Sequence, residues 1–457
     1  MKALVLAGGF PQIKLITELK KRGYFVILAD YNEEPVARKY CDKFYKESTL
    51  DVNAIKKIAQ EEKVDFLITA CTDQALLTVA KVSEELHLSC YIDYKTALNV
   101  TNKQYMKDIF VKNGISTAKH IIMEKFDESK IKDFAFPMIV KPVDCNSSKG
   151  VIKVFNIDEL KKAFELDIKL SRTKTAIIEE FIDGPELTVD VYVENGIANI
   201  LSVSISDKIN DADKFVIYRT RWPALITDEL LEKIRITAQQ IADSFNLTNS
   251  PMLIQMITDK KDVFVLEFSA RTGGGVKYSL IQKASGFDVI NAVIDLTIGN
   301  NVHYEKSNPE SKFLSNVFIY CKPGIFDRLE GFDELKTAGI ISDYYLFKWK
   351  GAEFDGVSNS GDRIAGFTVQ ADSIEDIKRK YNLALEKIKV IDINGDDMMR
   401  HDLLGELMYE DILMENKLTS KQLYSKGGGY KRLAFFASSL WPASKRSGVS
   451  VSKVVQG

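Results

Sequence analysis

Short apolar runs alternate with amphipathic stretches through the first hundred residues. Residues 2–7 read as a buried strand ending at Gly8-Gly9, and 11–22 carry the three-to-four-residue apolar spacing of a helix. Residues 24–29 form a second strand ending at Asp30; 65–70 repeat the strand pattern and 74–86 the helical one. A chain that returns to a sheet through a helix lays the next strand parallel to the last, so the alternation predicts a small doubly wound sheet with right-handed crossovers. A glycine pair after the first strand and an acid after the second invite a dinucleotide site. The chain then runs Phe10-Pro11-Gln12-Ile13, without the third glycine that close helix packing in GxGxxG needs, and a tight turn without nucleotide is expected instead.

The pattern changes character between about 102 and 299. Residues 136–142 form an apolar strand that delivers Lys141 to the polar loop Asp144-Cys145-Asn146-Ser147-Ser148-Lys149-Gly150. An ammonium and several backbone N–H groups placed together can cradle phosphate oxygens, while an ordinary hairpin, with 151–155 as its returning strand, explains the same letters. Residues 176–182, with Glu179, Glu180, Phe181 and Ile182, turn at Asp183-Gly184-Pro185 like a hinge. Backbone groups there suit an adenine edge between apolar walls, and Glu186 can accept from ribose hydroxyls.

In the strand over 263–271, a period of two puts Glu267, Ser269 and Arg271 on one face. Hairpin pairing across Asp259-Lys260-Lys261-Asp262 brings Gln255 beside Glu267. Those oxygens suit Mg²⁺, which takes few protein ligands and completes its shell with phosphate and water. The alternative is a surface ion pair between Glu267 and Arg271, which leaves the run Gly273-Gly274-Gly275 unexplained. A helix over 102–113 carries Lys103, which alone would be an ordinary solvated lysine.

Composition narrows the partners. The 457 residues, 45% hydrophobic and 28% charged, suit a globular protein of roughly three domains at about 150 residues each. With 62 basic and 64 acidic residues the net charge is −2, so no global positive field gathers nucleic acid. No apolar run has the length of a signal-peptide core or a membrane span, and a cytoplasmic protein is expected. Five cysteines without CxxC or CxxH spacing are expected reduced and mostly in the core.

In order and spacing these clusters resemble the ATP-grasp superfamily over about residues 1–403, above all its carboxylate-amine ligases such as bacterial L-amino acid ligases, and more distantly carbamoyl-phosphate synthetase and biotin carboxylase. The resemblance implies ATP bound by Lys103, Lys141, Ser147, Ser148, Lys149, Gly150, Glu179, Glu180, Phe181, Ile182 and Glu186. It implies one or two Mg²⁺ ions at Gln255, Glu267 and Ser269, with Arg271 and Lys141 catalytic. Two departures stand out: many members have Glu where this chain has Gln255, and most have Asn where it has Ser269. Each lowers the charge or reach available to a second ion.

The implied fold joins α/β and α+β parts: a doubly wound N-terminal domain (1–101), a two-subdomain ATP-grasp module (102–304), an α+β substrate and dimer domain (305–403) and a basic tail (404–457). From Asn416 onward there are eight basic residues and no acid. Apolar residues 313–321, alternating 340–350, and 362–370 leading into a helix over 373–389 supply the third part. The implied reaction joins a small carboxylic acid to an amine, an amino acid among them, through an acyl phosphate, in a homodimer without a membrane span. A bicarbonate-type carboxylase and a catalytically weak ATP-binding protein are the alternatives. Lys208, Arg219 and Arg221, in a variable stretch over 204–223, and Gly274 and Gly275 are the candidates for substrate contact, with a solvated loop as the plain alternative for the basic trio.

Overall fold

The computed structural model describes residues 1–145, 148–209 and 215–409. The N-terminal sheet is fully parallel, in the order Lys43–Lys46, Phe25–Asp30, Lys2–Leu6, Phe66–Ile68. Its edge strand Lys43–Lys46 has only four residues, half of them exposed, too few and too polar for the apolar pattern to reveal. Where a dinucleotide fingerprint would open, Gly8 donates its N–H to Asp30 Oδ2 at 2.6 Å. Pro35 lies 2.5 Å from where a Gly8 Cβ would stand, so the first turn is closed by protein.

Eight antiparallel strands form the central sheet, in the order Val263–Ser269, Ser250–Thr258, Glu186–Glu194, Ile197–Lys208, Ile217–Trp222, Phe313–Ile319, Ala365–Ala371, Asp343–Leu346. Leu187, Val189, Val191, Val203, Ile205, Ile254 and Met256 join the main core, under the helices Lys103–Lys112 and Asp228–Ser244. The alternate residues turn the other way, and the register sets Thr188 opposite both Ser204 and Gln255, and Gln255 opposite Glu267. One face of the sheet is thus a hydrophobic floor for helices; the other is a polar ceiling for ligands.

The sheet crosses the boundary expected at 304/305 without a break, since Ile217–Trp222 pairs with Phe313–Ile319. Most of the variable stretch over 204–223, for which a solvated loop was the plain alternative, is strand, because Leu201, Val203 and Ile205 alternate with Ser202, Ser204 and Ser206 and both faces are buried. A smaller antiparallel sheet, His120–Met123, Ala176–Glu180, Met138–Pro142, Ile152–Val154, packs against the helix Ile157–Leu170. A three-stranded sheet of Glu353–Phe354, Gly324–Glu330 and Lys389–Asp392 completes the C-terminal part. All five cysteines are free thiols; Cys321 is buried and the other four are half-buried. Among the described residues no helix is long and apolar enough to cross a membrane.

The chain beyond 403, expected to begin a tail, is held down through 409: Tyr409 is buried and its hydroxyl donates to the Trp222 and Leu314 carbonyls at 3.2 and 3.0 Å. The basic stretch from Asn416 lies outside the described residues.

Candidate functional site

A cavity opens between the small sheet and the polar face of the large one. Ile139, Val151, Ile182, Ile257 and Leu266 give it apolar walls, which suit a flat aromatic base. Phe181 and Ile182, from the hinge, line it too, and Lys153 Nζ stands 3.5 Å from the centre of the Phe181 ring.

Charges gather at the other side of this cavity. Asn102 caps its helix by accepting from the Gln104 and Tyr105 N–H groups, which places Lys103 in the first turn. Its Nζ lies 3.1 Å from Glu267 Oε2 and donates to the Cys145 carbonyl at 2.8 Å. Lys107, one turn further on the same face, reaches Glu179 Oε1 at 2.8 Å, while Lys141 reaches Glu179 Oε2 at 2.6 Å. Burial opposes the charge on Glu179, but the two lysines overcome it and hold the carboxyl down at about 2. Burial likewise works against Lys141, yet Glu179 and then Glu267 outweigh it and raise its pKa; for Lys107 burial wins and the pKa falls. Three lysines against two carboxylates leave one positive charge in excess, a standing attraction for phosphate.

Glu186 is 6% exposed and engaged at both oxygens, by Lys208 at 2.7 Å and by the Gln255 amide at 2.8 Å. Ser148 and Lys149 line the cavity; Ser148 donates to the Phe215 carbonyl at 2.9 Å. Gly150 has φ +78 and packs on Pro142 and Asp167. Ser147 lies outside the described residues.

A second cavity adjoins the first: Ser148, Ile217, Gln255 and Glu267 line both. Arg271 borders it with its guanidinium locked on Asp73, Nε to Oδ1 at 2.7 Å and a second contact from Nη2 to Oδ2, while Nη1 donates to the Thr272 carbonyl at 2.7 Å. Burial opposes the Asp73 charge, and Arg271 more than offsets it, so the carboxyl sits below its usual range. The Ser269 hydroxyl, expected beside a metal, donates to Asp73 instead. Lys277, 9% exposed, is held by Ser204 Oγ at 2.6 Å and Asp190 Oδ2 at 3.3 Å, and burial lowers its pKa against the pull of Asp190. Gly274 lines the cavity, and Gly275 adopts φ +67 beside Phe318 and Arg363.

Arg219 and Arg221 face neither cavity. Their common parity on one strand turns both to Asp207, with Nε contacts of 2.6 and 2.8 Å, and to the carbonyls of Gly405, Glu406 and Met408. Buried guanidiniums satisfied in this way tie the 404–409 segment to the sheet. Sequence reasoning passed over Lys107, Asp73, Lys277 and Arg363. The spacing of four from Lys103 is a readable signal for Lys107; Asp73 meets Arg271 across 198 positions, which no local pattern encodes.

The ATP-grasp domain family matches residues 134–279. The chain is 23% identical to the carbamoyl phosphate synthase large chain of Clostridium acetobutylicum over 74% of its own length but only 33% of that protein's. It is also 23% identical to a formate-dependent phosphoribosylglycinamide formyltransferase of Prochlorococcus marinus, over 70% of this chain and 89% of the relative. The L-amino acid ligase of Bacillus licheniformis shares the fold, with a TM-score of 0.72 at 18% identity, over 86% of this chain and 98% of that one.

Proposed function

We propose that this chain, which belongs to the ATP-grasp superfamily of ATP-dependent ligases, joins a carboxylic acid to an amine through an acyl phosphate and releases ADP and phosphate. The observation that carries the reading is the sharing of Gln255 and Glu267 by the two cavities. The phosphate end of a nucleotide in the first then meets an acid in the second.

The adenine lies between the apolar walls, against the hinge backbone at 180–182. Lys103, Lys141 and Lys149 hold phosphate oxygens, and the two buried lysines need only exchange a carboxylate partner for a phosphate one. Among the described residues no group of three or more His, Cys, Asp or Glu side chains is placed to hold a metal alone. One carboxylate, Glu267, and one amide, Gln255, suit Mg²⁺ bound chiefly through phosphate and water. Bound there, Mg²⁺ supplies neutralisation of the phosphate oxygens.

A carboxylate oxygen attacks the γ-phosphorus and ADP leaves; the amine nitrogen then attacks the acyl carbon, phosphate leaves, and the nitrogen gives up a proton. Arg271, oriented by Asp73, keeps two of its five N–H groups for the transferring phosphoryl or acyl-phosphate oxygens. A panel of carboxylic acids with ATP, Mg²⁺ and hydroxylamine tests the reading: ADP and a hydroxamate are expected together. AMP as product, or no hydroxamate with any acid, overturns it; ADP release that needs bicarbonate and ignores amines points to the carboxylase alternative.

A further inference from the structure

A row of polar side chains crosses the large sheet beneath the second cavity. The register sets Glu267, Gln255, Thr188 and Ser204 on four neighbouring strands, each opposite the next. Lys277, the first residue of the helix Lys277–Ser285, borders the cavity and closes the row: its Nζ donates to Ser204 Oγ at 2.6 Å and to Asp190 Oδ2 at 3.3 Å. A Cβ on Gly273 would lie 2.8 Å from Lys277 Cγ and 3.1 Å from its Cβ, so glycine there clears the path of the lysine stem. Neighbouring strands lie about 4.8 Å apart, which puts Ser204 roughly 10 Å from Gln255. An acyl phosphate beside Gln255 and Glu267 therefore leaves the breadth of one small amine, over Thr188, between itself and Lys277.

An amine forms a C–N bond only through a free lone pair, and aliphatic amines are mostly protonated at neutral pH. The groups around the cavity differ in whether they can take that proton. Burial opposes the Asp73 charge but Arg271 more than offsets it, so this carboxylate accepts a proton poorly. Glu267 is paired with Lys103, and the guanidiniums of Arg271 and Arg363 have no lone pair to give. Burial pushes the Cys71 thiol up to about 12, so it keeps its own proton. Burial disfavours the charge on Lys277 and outweighs the pull of Asp190 and Glu186, so its pKa falls. Neutral Lys277 has two N–H groups, which Ser204 and Asp190 accept, and one lone pair left over. Asp190 is 1% exposed; its Oδ2 also accepts from Ser202 Oγ at 2.5 Å, while its Oδ1 has no hydrogen-bond partner among the described residues. A counter-ion for the ammonium form is thus already in place.

Resting on the ligase reading above, we propose that Lys277 is the catalytic base for the amine. Its neutral Nζ takes one proton from the incoming ammonium, and the freed lone pair attacks the acyl carbon. The acyl C–O bond breaks with its electron pair on the leaving phosphate, which takes the second proton from nitrogen; Lys277 gives its proton to water as the products leave. Two measurements on the full chain test this. Competitive labelling with acetic anhydride, read by mass spectrometry across pH, needs no turnover: Lys277 is expected to become reactive at lower pH than the exposed lysines of the same chain. The second compares two acceptors with ATP, Mg²⁺ and an acid that yields hydroxamate: hydroxylamine, unprotonated at neutral pH, and an equimolar mixture of the common amino acids. Lys277→Met should lower the ratio of amide to hydroxamate about 100-fold at neutral pH, and the deficit should shrink as pH rises and the amines deprotonate unaided. Methionine leaves Asp190 buried and unanswered, so Lys277→Met/Asp190→Asn is measured beside it, with the same fall in ratio expected. Labelling of Lys277 in step with the exposed lysines, no labelling at any pH, an unchanged ratio, or an equal fall of both products in both variants overturns the proposal. A wild type that yields no hydroxamate with any acid rejects the ligase reading instead.

Discussion

The two cavities meet at Gln255 and Glu267 yet hold their charges in different ways. In the first cavity Lys103, Lys107 and Lys141 share Glu179 and Glu267 in close ion pairs, so each ammonium is already aimed and desolvated. In the second cavity Arg271 and Lys277 are each given one acid, and Arg363 is braced by neutral groups among the described residues. A crowded cluster with one charge in excess attracts an anion whatever else that anion carries. A braced, unanswered guanidinium discriminates among ligands.

The shared residue is where the comparison breaks most visibly. Glu267→Gln removes the anionic metal ligand and the partner of Lys103 together, and should lower ADP release on the order of 10³-fold at millimolar Mg²⁺ with the circular dichroism spectrum unchanged. Activity near wild type would make the strand structural only. Lys141→Met touches one cavity. It should weaken ATP binding by about 100-fold in calorimetry and spare the fold, since Lys107 still answers Glu179. Unchanged ATP affinity would remove the phosphate role from this lysine.

Arg271→Lys separates the halves from the other side. A lysine keeps the charge near Asp73 but loses the planar fork, so kcat should drop about 10-fold while the KM for ATP stays within about twofold. Asp73→Asn should shift kcat in the same direction, because it releases the guanidinium from its orientation. A rise in the KM for ATP with kcat unchanged would place Arg271 among the nucleotide ligands.

The same contrast explains what was legible in the sequence. Lys141, the 144–150 loop, Glu179 to Ile182 and Glu267 lie in contiguous strand-and-turn segments whose periods set their faces, and the lining of the first cavity contains Lys141, Glu179 to Ile182, Glu267 and, from the loop, Cys145, Ser148 and Lys149. The second cavity is assembled from Asp73, Thr188, Arg271, Lys277, Asn316 and Arg363, each from a different element, so tertiary packing alone gathers them. Arg219 and Arg221 misled for a related reason: two arginines in a basic, hydroxyl-rich stretch resemble a substrate loop until Ser202, Ser204 and Ser206 are read as one face of a buried strand. The N-terminal parallel sheet was legible apart from its short polar edge. The helix Ile157–Leu170 was not, although its apolar spacing at Leu160, Ala163 and Phe164 was there to be found.

That helix supplies the smallest and most selective test, a buried acid without the partners that Glu179 enjoys. Asp167 is 0% exposed, and neither carboxyl oxygen has a hydrogen-bond partner among the described residues. Burial alone pushes its pKa up to about 8, whereas two lysines hold Glu179 at about 2 within the same small-sheet unit. A folded-state pKa above the unfolded value near 4 means that the native protein binds more protons than the unfolded chain between about pH 4 and 8. Stability contributed by the neutral acid is therefore full below about pH 4 and is lost as pH rises towards 8, after which the curve is flat for this group. Asp167→Asn cannot ionise, so the melting temperature of the variant should fall less steeply over that window, by a few degrees in total, and run parallel to wild type above pH 8. Equal slopes from pH 4 to 8 would show that Asp167 is answered after all, and that an unpartnered acid beside Gly150 is not part of what distinguishes the small sheet from the paired cluster on its other face.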